Sequence, residues 1–170
     1  MKDILLIVAV DDKYGFAKEN TIPWKIKEDL YHFQRLTTTT QNKNLQNAVI
    51  MGRQTFLSLN QKPLKNRLNI VLTSHKFNNV FCATSLKNAI DYCMISDEIE
   101  SIFIIGGENV YNEALQNYPI RIIYKTHVQG DFECDKFIAP FNNHELYNYT
   151  PWKQEAEYVY RYESWKMREN

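Results

Sequence analysis

The chain has 170 residues, 44% of them hydrophobic, and its 20 basic and 20 acidic side chains cancel to a formal charge of zero. That size buries one respectable core, so residues 1–170 are expected to form one domain. Balanced charge argues against the one-sided basic surplus of a nucleic-acid footprint.

Ile4 to Val10 is a continuous apolar run closed by Asp11-Asp12. It is too short to span a membrane and lacks a signal-peptide cleavage pattern, so it reads as a strand covered on both faces. Asp11 to Thr21 is polar, carries Gly15 and Asn20, and has the length of a lid loop. Pro23 ends it, and the pattern predicts a helix from Ile26 or Lys27 onward. Ile26, Leu30, Phe33 and Leu36 or Thr37 share one face of that helix, and Asp29 falls in the same stripe. A carboxylate on an apolar face is costly unless it is paired or protonated. Asp29 is therefore either a first-turn acid interacting with the helix dipole or a buried acid that meets a cationic or amide-rich ligand. The Thr37 to Asn47 stretch that follows reads as an exposed, mobile connection.

Ala48 to Met51 predicts a short buried strand that runs into Gly52-Arg53-Gln54-Thr55 and a short helix over Phe56, Leu57 and Leu59. A glycine between a strand end and a helix start leaves backbone amides free for an anion. Leu68 to Thr73 is another strand, ending in Ser74-His75-Lys76. Val80 to Ala83 is a third, and Ser85 caps a helix over Leu86 to Met94. Ile102 to Ile105 ends in Gly106-Gly107, followed by a helix from Glu108 to Gln116. This is not a GxGxxG fingerprint, so a Rossmann domain is not supported. Ile120 to Thr126 is a strand, and Trp152 to Lys166 reads as two short strands with aromatic alternation. Three cysteines (Cys82, Cys93, Cys134) form no CxxC pair and are read as reduced thiols in the cytoplasm. Four scattered histidines lack metal-ligand spacing, so no metal is expected. The fold class expected is α/β, a mostly parallel sheet with helices on both faces and an antiparallel C-terminal edge. Three strand ends, after Met51, Thr73 and Ile105, line one crevice across which a dinucleotide can lie.

In this order the motifs resemble dihydrofolate reductase. They are Ile7-Val8-Ala9-Val10, the loop ending Pro23-Trp24, the helix with Asp29 and Phe33, and Val49 to Thr55. Pro63-Leu64 with Arg67, Ile105-Gly106-Gly107 with Val110-Tyr111, Thr126-His127 and Asp135 to Phe137 continue the series. The acid is Asp, five residues after Trp24, as in bacterial and viral members of that family. The riboflavin-pathway reductase that shares the fold lacks a matching Asp on its first helix and the Pro-Trp lid ending. A binding paralogue without turnover is the other alternative.

The resemblance implies NADPH-dependent reduction of 7,8-dihydrofolate to tetrahydrofolate, supporting one-carbon metabolism and thymidylate synthesis, by a monomer that also binds antifolate inhibitors. It implies that Asp29 accepts hydrogen bonds from the pterin, with Thr126 bonded to its carboxylate and Trp24 holding a water nearby. Ile7 and Ile105 would flank the pterin together with Tyr111. Leu30, Phe33, Leu59 and Leu64 would wall the benzoyl group, and Arg67 would grip the glutamate carboxylate. For NADPH it implies Ala9 and the lid residues Gly15, Phe16, Ala17, Asn20, Thr21 and Ile22. It adds Gly52, Arg53, Gln54 and Thr55 after one strand, and Thr73, Ser74, His75 and Lys76 after another. Gly106, Gly107, Glu108, Asn109, Val110 and Tyr111 complete the set, with Arg53, Ser74 and His75 at the 2′-phosphate. The Gly106–Gly107 bond is expected to be cis. Departures from the family pattern are Ala17 in the lid, Asn66 before Arg67, and Glu108 after the glycine pair.

Overall fold

Alternation of side chains along the apolar runs places even-numbered residues on one face of a sheet and odd-numbered ones on the other. In the computed structural model, which describes residues 1–169, the first run is β1 (Ile4–Val10). Then come β2 (Gly15–Ala17), α1 (Lys27–Thr38), β3 (Gln46–Gly52), α2 (Arg53–Ser58), β4 (Leu68–Leu72) and β5 (Phe81–Ala83). They are followed by α3 (Leu86–Ile95), β6 (Ile99–Ile104), α4 (Glu108–Asn117) and β7 (Ile120–Val128). The chain closes with β8 (Lys136–Phe137), β9 (His144–Tyr149), β10 (Lys153–Glu155) and β11 (Tyr158–Met167).

The main sheet runs β10-β11-β7-β1-β6-β3-β4-β5, with β9 also paired to β11. From β7 to β5 every pairing is parallel, and β11 joins β7, β9 and β10 antiparallel. This is the single α/β domain that the sequence indicates. Leu6, Ile50, Ile70, Ile102 and Ile104 pack on one face with α3 and α4, through Leu86, Ile90, Val110 and Ala114. Leu5, Ile7, Val49, Met51, Phe103 and Ile105 pack on the other with Phe56 of α2 and Phe33 and Leu36 of α1. No helix among the described residues is long and apolar enough to cross a membrane.

Three local features depart from the sequence reading. The lid is not irregular throughout, because β2 inside it pairs antiparallel with β8. The connection after α1 is tied down rather than loose. Its Gln41 and Asn42 amides both donate to Glu100, at 2.9 Å each, and buried Asn47 donates to the Thr37 and Thr39 carbonyls. Finally, β9 was not foreseen. Five of its six residues are exposed, so it carries little apolar signal.

One buried charge cluster fixes the junction of β7 and β11. Glu163 stands opposite Lys125 in the pairing, and its carboxylate meets the Lys125 ammonium at 3.3 Å. Arg161 Nε and Trp165 Nε1 each donate to it at 2.9 Å, and His127 Nδ1 lies at 3.6 Å. Burial opposes the Glu163 charge, but these partners outweigh it and hold the acid well below the usual carboxylate range. Removing one member leaves the other charged and buried. Glu163→Ala is expected to cost about 3–5 kcal/mol of stability, measured by urea unfolding. A loss below about 1 kcal/mol would show that the cluster is solvated.

Candidate active site

Where parallel strands end, backbone amides and short turns face a common crevice. Here β1 contributes Val8 and Ala9, β3 ends in Gly52, β4 is followed by Thr73 and Ser74, and β6 by Ile105 and Gly106. Together they line a cleft of about 1370 Å³. Phe16, Ala17, Asn20, Thr21 and Ile22 of the lid close one side, and Arg53 to Thr55 and Gly107 to Tyr111 close the others. Gly106 has φ +121, and a Cβ there would lie 3.3 Å from the Tyr111 ring and 3.4 Å from Thr55 Oγ1. Only glycine suits that backbone. The Gly106–Gly107 peptide is cis. Gly52 N donates to Gly106 O at 2.8 Å, so two of the strand ends are stitched together.

Some candidate residues lie outside this lining. His75 and Lys76 are exposed beyond Ser74 and do not face the cleft. Gly15 is buried against Cys134, whose Cβ would be 2.4 Å from a Cβ added at Gly15. It serves lid packing instead. The lid is held from below: Asp135 N donates to Ala17 O, Glu19 N donates to Asp135 Oδ2, and Gly15 N donates to Asp11 Oδ1, each at 2.9 Å. Glu108 lines the cleft, but its carboxylate accepts the Phe137 amide at 2.8 Å, so its charge is spent on β8.

Asp29 occupies the first turn of α1, on the side facing β7. Thr126 Oγ1 donates to Asp29 Oδ1 at 2.7 Å, and Thr126 stands beside Ala9 of the cleft in the β1–β7 pairing. Burial pushes the Asp29 carboxyl up to about 6, with Thr126 pulling it down and the Glu28 charge adding a smaller push upward. The helix is begun by a distant group: Glu155 accepts the Lys27 and Glu28 amides at 2.6 and 3.1 Å. Phe33, Leu59 and Leu64 pack with Ile7 and Ile105 into one apolar wall. Leu30 is 62% exposed and stands outside that packing. Arg67 donates through Nη1 to Thr37 Oγ1 at 2.9 Å and through Nε to Lys65 O at 2.8 Å. Asn66 before it adopts φ 63, a left-handed turn that asparagine tolerates. Tyr111 Oη donates to Ile7 O at 2.8 Å, which ties α4 to β1. Trp24 is buried edge-on to Phe132, with ring centroids 5.1 Å apart.

A family model described as dihydrofolate reductase matches residues 3–167. The chain belongs to the dihydrofolate reductase family. It is 41% identical over 142 residues to a dihydrofolate reductase of Schistosoma mansoni, covering 78% of this chain and 75% of the relative. Against that of Aedes albopictus it is 37% identical over 147 residues, 81% of this chain and 79% of the relative. A Pneumocystis carinii dihydrofolate reductase is 32% identical over 169 residues, 91% of this chain and 82% of the relative.

In this dihydrofolate reductase fold the cleft gains residues that sequence reasoning missed. Thr84 and Ser85 arrive from the end of β5, and Lys136 through the β2–β8 pairing. The first two carry a readable sign, a fourth strand end with hydroxyls. Lys136 carries none, since long-range pairing alone brings it there. Among the described residues the Arg53 side chain makes no ion pair or hydrogen bond, so the lining offers an uncommitted guanidinium.

Because the folded Asp29 carboxyl titrates near 6 rather than 3.8, its contribution to stability is fully present below pH 4 and is lost as pH rises through about 6. Asp29→Asn carries no such penalty. Its stability relative to the parent is expected to climb by on the order of 2–3 kcal/mol between pH 4 and pH 7, measured from urea midpoints. A difference that stays constant with pH would show that Asp29 is solvated.

Proposed function

We propose that this cleft binds NADPH beside 7,8-dihydrofolate and that Asp29 is the acid that holds the pterin for reduction to tetrahydrofolate. The observation that carries the reading is a partly buried carboxylate on a helix that packs on the cleft's own sheet, with one protein donor fixing it and desolvation raising its proton affinity. Its remaining acceptor sites suit the paired N–H groups of a 2-aminopterin, and such charge-assisted bonds are worth on the order of 1.5–3 kcal/mol each.

Each neighbouring group has a task that its environment suits. Thr126 keeps the carboxylate in one orientation. The Ile7 and Ile105 backbone flanks the ring, Tyr111 helps to fix the Ile7 carbonyl, and Trp24 closes the lid end. Phe33, Leu59 and Leu64 give the benzoyl group an apolar wall, with Leu30 at its rim. Arg67, already braced by Thr37, meets the glutamate carboxylate. When bound, NADPH supplies the hydride. The Gly52–Thr55 and Gly106–Tyr111 turns, with Thr73 and Ser74, fit its phosphates, because glycine backbone and hydroxyls stand together there beside the unpaired Arg53. The fit favours the 2′-phosphate form of the cofactor at Arg53 and Ser74. The pterin N5 must gain a proton, and the Asp29 anion polarises the ring toward that step. The reading extends to a monomer in the cytoplasm, where three free cysteines stay reduced, and to pterin-like antifolates as inhibitors. The product supplies one-carbon metabolism and thymidylate synthesis.

NADPH absorbance decay with dihydrofolate tests this directly. Asp29→Asn is expected to lower turnover at pH 7 by roughly 10²–10⁴-fold, with partial recovery in acid, where solution protons substitute for the lost polarisation. Turnover near the parent value at pH 7 would remove Asp29 from the mechanism. In Arg53→Ala the preference for NADPH over NADH is expected to shrink by roughly ten- to a hundredfold, read from the two Kd values. An unchanged preference would make Arg53 a surface charge.

A further inference from the structure

The side of α1 that carries Asp29 also meets β11, and the residue it meets there is Tyr162. Strand pairing sets Tyr162 directly beside Thr126, the residue whose hydroxyl holds Asp29. Its ring stacks on His32, three residues along the helix from Asp29, with centroids 3.8 Å apart and planes 22° from parallel. Tyr160 packs edge-on at 5.8 Å, and the Lys153 ammonium lies 5.8 Å from the Tyr162 ring centre. The ring is therefore clamped from several directions. Its hydroxyl is the one buried side-chain nitrogen or oxygen, among the described residues, that has no hydrogen-bond partner in the protein.

An unpaired buried hydroxyl is a standing cost, and a phenol in this place can serve only groups that face it. Those groups are Glu28 and His32 from α1, Lys153 and Glu155 from β10, Tyr160 from β11 and Thr126 from β7, together with Asp29. Glu28 is already served, by Tyr160 Oη at 3.0 Å and Lys153 Nζ at 3.5 Å, and the Tyr162 hydroxyl also approaches it, short of full hydrogen-bond geometry. Glu155 is spent on the Lys27 and Glu28 amides. Burial pushes His32 down to about 4, so its ring is neutral at pH 7. Asp29 has a single protein donor, on Oδ1. Burial pushes the phenol above its usual range, the charges of Asp29 and Glu28 and its approach to the Glu28 carboxylate add to that push, and so it keeps its proton and remains a donor. Of the two neighbouring carboxylates, Asp29 is the one short of donors.

We infer that Tyr162 is a positioning residue: its hydroxyl, directly or through one water, is a second donor that holds Asp29 as the anion facing substrate. The inference rests on Asp29 being the pterin-binding acid. Taking away a donor to the charged form raises the proton affinity of a carboxyl. Protonation of bound substrate follows the joint titration of Asp29 and pterin, so the fall of the hydride-transfer rate with rising pH moves to higher pH. Tyr162→Phe keeps the ring and its stacking and removes only the oxygen.

The test measures hydride transfer by NADPH absorbance under single turnover from pH 5 to 9, in the parent, Tyr162→Phe, Asp29→Asn and the double variant. The midpoint in Tyr162→Phe is expected to move upward by about 0.5 to 1 pH, a three- to tenfold change in proton affinity. In the Asp29→Asn background the same change is expected to move nothing. A readout independent of turnover is the infrared carboxyl band of Asp29, taken as the difference from Asp29→Asn in the ligand-free protein. It is expected to titrate higher in Tyr162→Phe. If the hydroxyl is a mere orphan, Tyr162→Phe unfolds at higher temperature while midpoint and band stay where they were, which overturns the inference. So does a shift that persists without Asp29. If the parent protein does not oxidise NADPH with dihydrofolate, the functional reading fails and takes the inference with it. An unmoved profile in an active enzyme overturns the role of Tyr162 alone.

Discussion

The hydrogen bond from Thr126 to Asp29 joins a helix to a strand 97 positions away, and the site is arranged around it. A carboxylate at this depth has two easy fates, protonation or full neutralisation by a cation, and either would end its use. Burial alone pushes it toward the first, and the threonine hydroxyl restrains it without adding charge. What results is an acid poised close to physiological pH. That condition requires Thr126 to stay where it is, so the strand bearing it must be rigid.

Rigidity comes from the opposite side of the same strand. Along β7, Tyr124 and Thr126 point toward α1, while Ile123 and Lys125 point to the other face. On that second face Lys125 lies beside Glu163 and under the rings of Tyr14 and Trp165, at 4.6 and 5.6 Å. Charge that would compete with Asp29 is thus placed one pleat away, where it is paired and desolvated. His127 extends the cluster outward to Asp12 at 2.7 Å, at the root of the lid. The lid and α1 are therefore referred to the same two strands.

How much of this was legible in the chain depended on the range of the interaction involved. The buried strands, the cap at Ser85 and the glycine turns after β3 and β6 are local patterns and read directly. Asp29 stood out because it broke an apolar stripe, a conflict between local rules that marks functional positions. Leu30 belonged to that stripe by spacing, but it faces outward because the 100° step per residue leaves it beyond the side that α1 lays on the sheet. His75 and Lys76 were grouped with Ser74 by adjacency, although a turn sends successive side chains in different directions. The Glu155 cap, the β2–β8 pairing and the arrival of Lys136 depend on segments far apart in the chain, and no window of sequence reports them.

The cap on α1 has a consequence for how the protein is made. The amides that open α1 are satisfied by Glu155, 128 positions downstream of Lys27, and Tyr160 of the last strand completes the same corner. During synthesis, the β1–β6, β6–β3, β3–β4 and β4–β5 pairings have both strands in hand before β7 is made, whereas β2 awaits β8 and the second edge of β1 awaits β7. The acid's surroundings cannot form until the final hairpin leaves the exit tunnel. A chain that stops before β10 and β11 therefore lacks both the cap of α1 and the tyrosine that completes the corner beside Asp29.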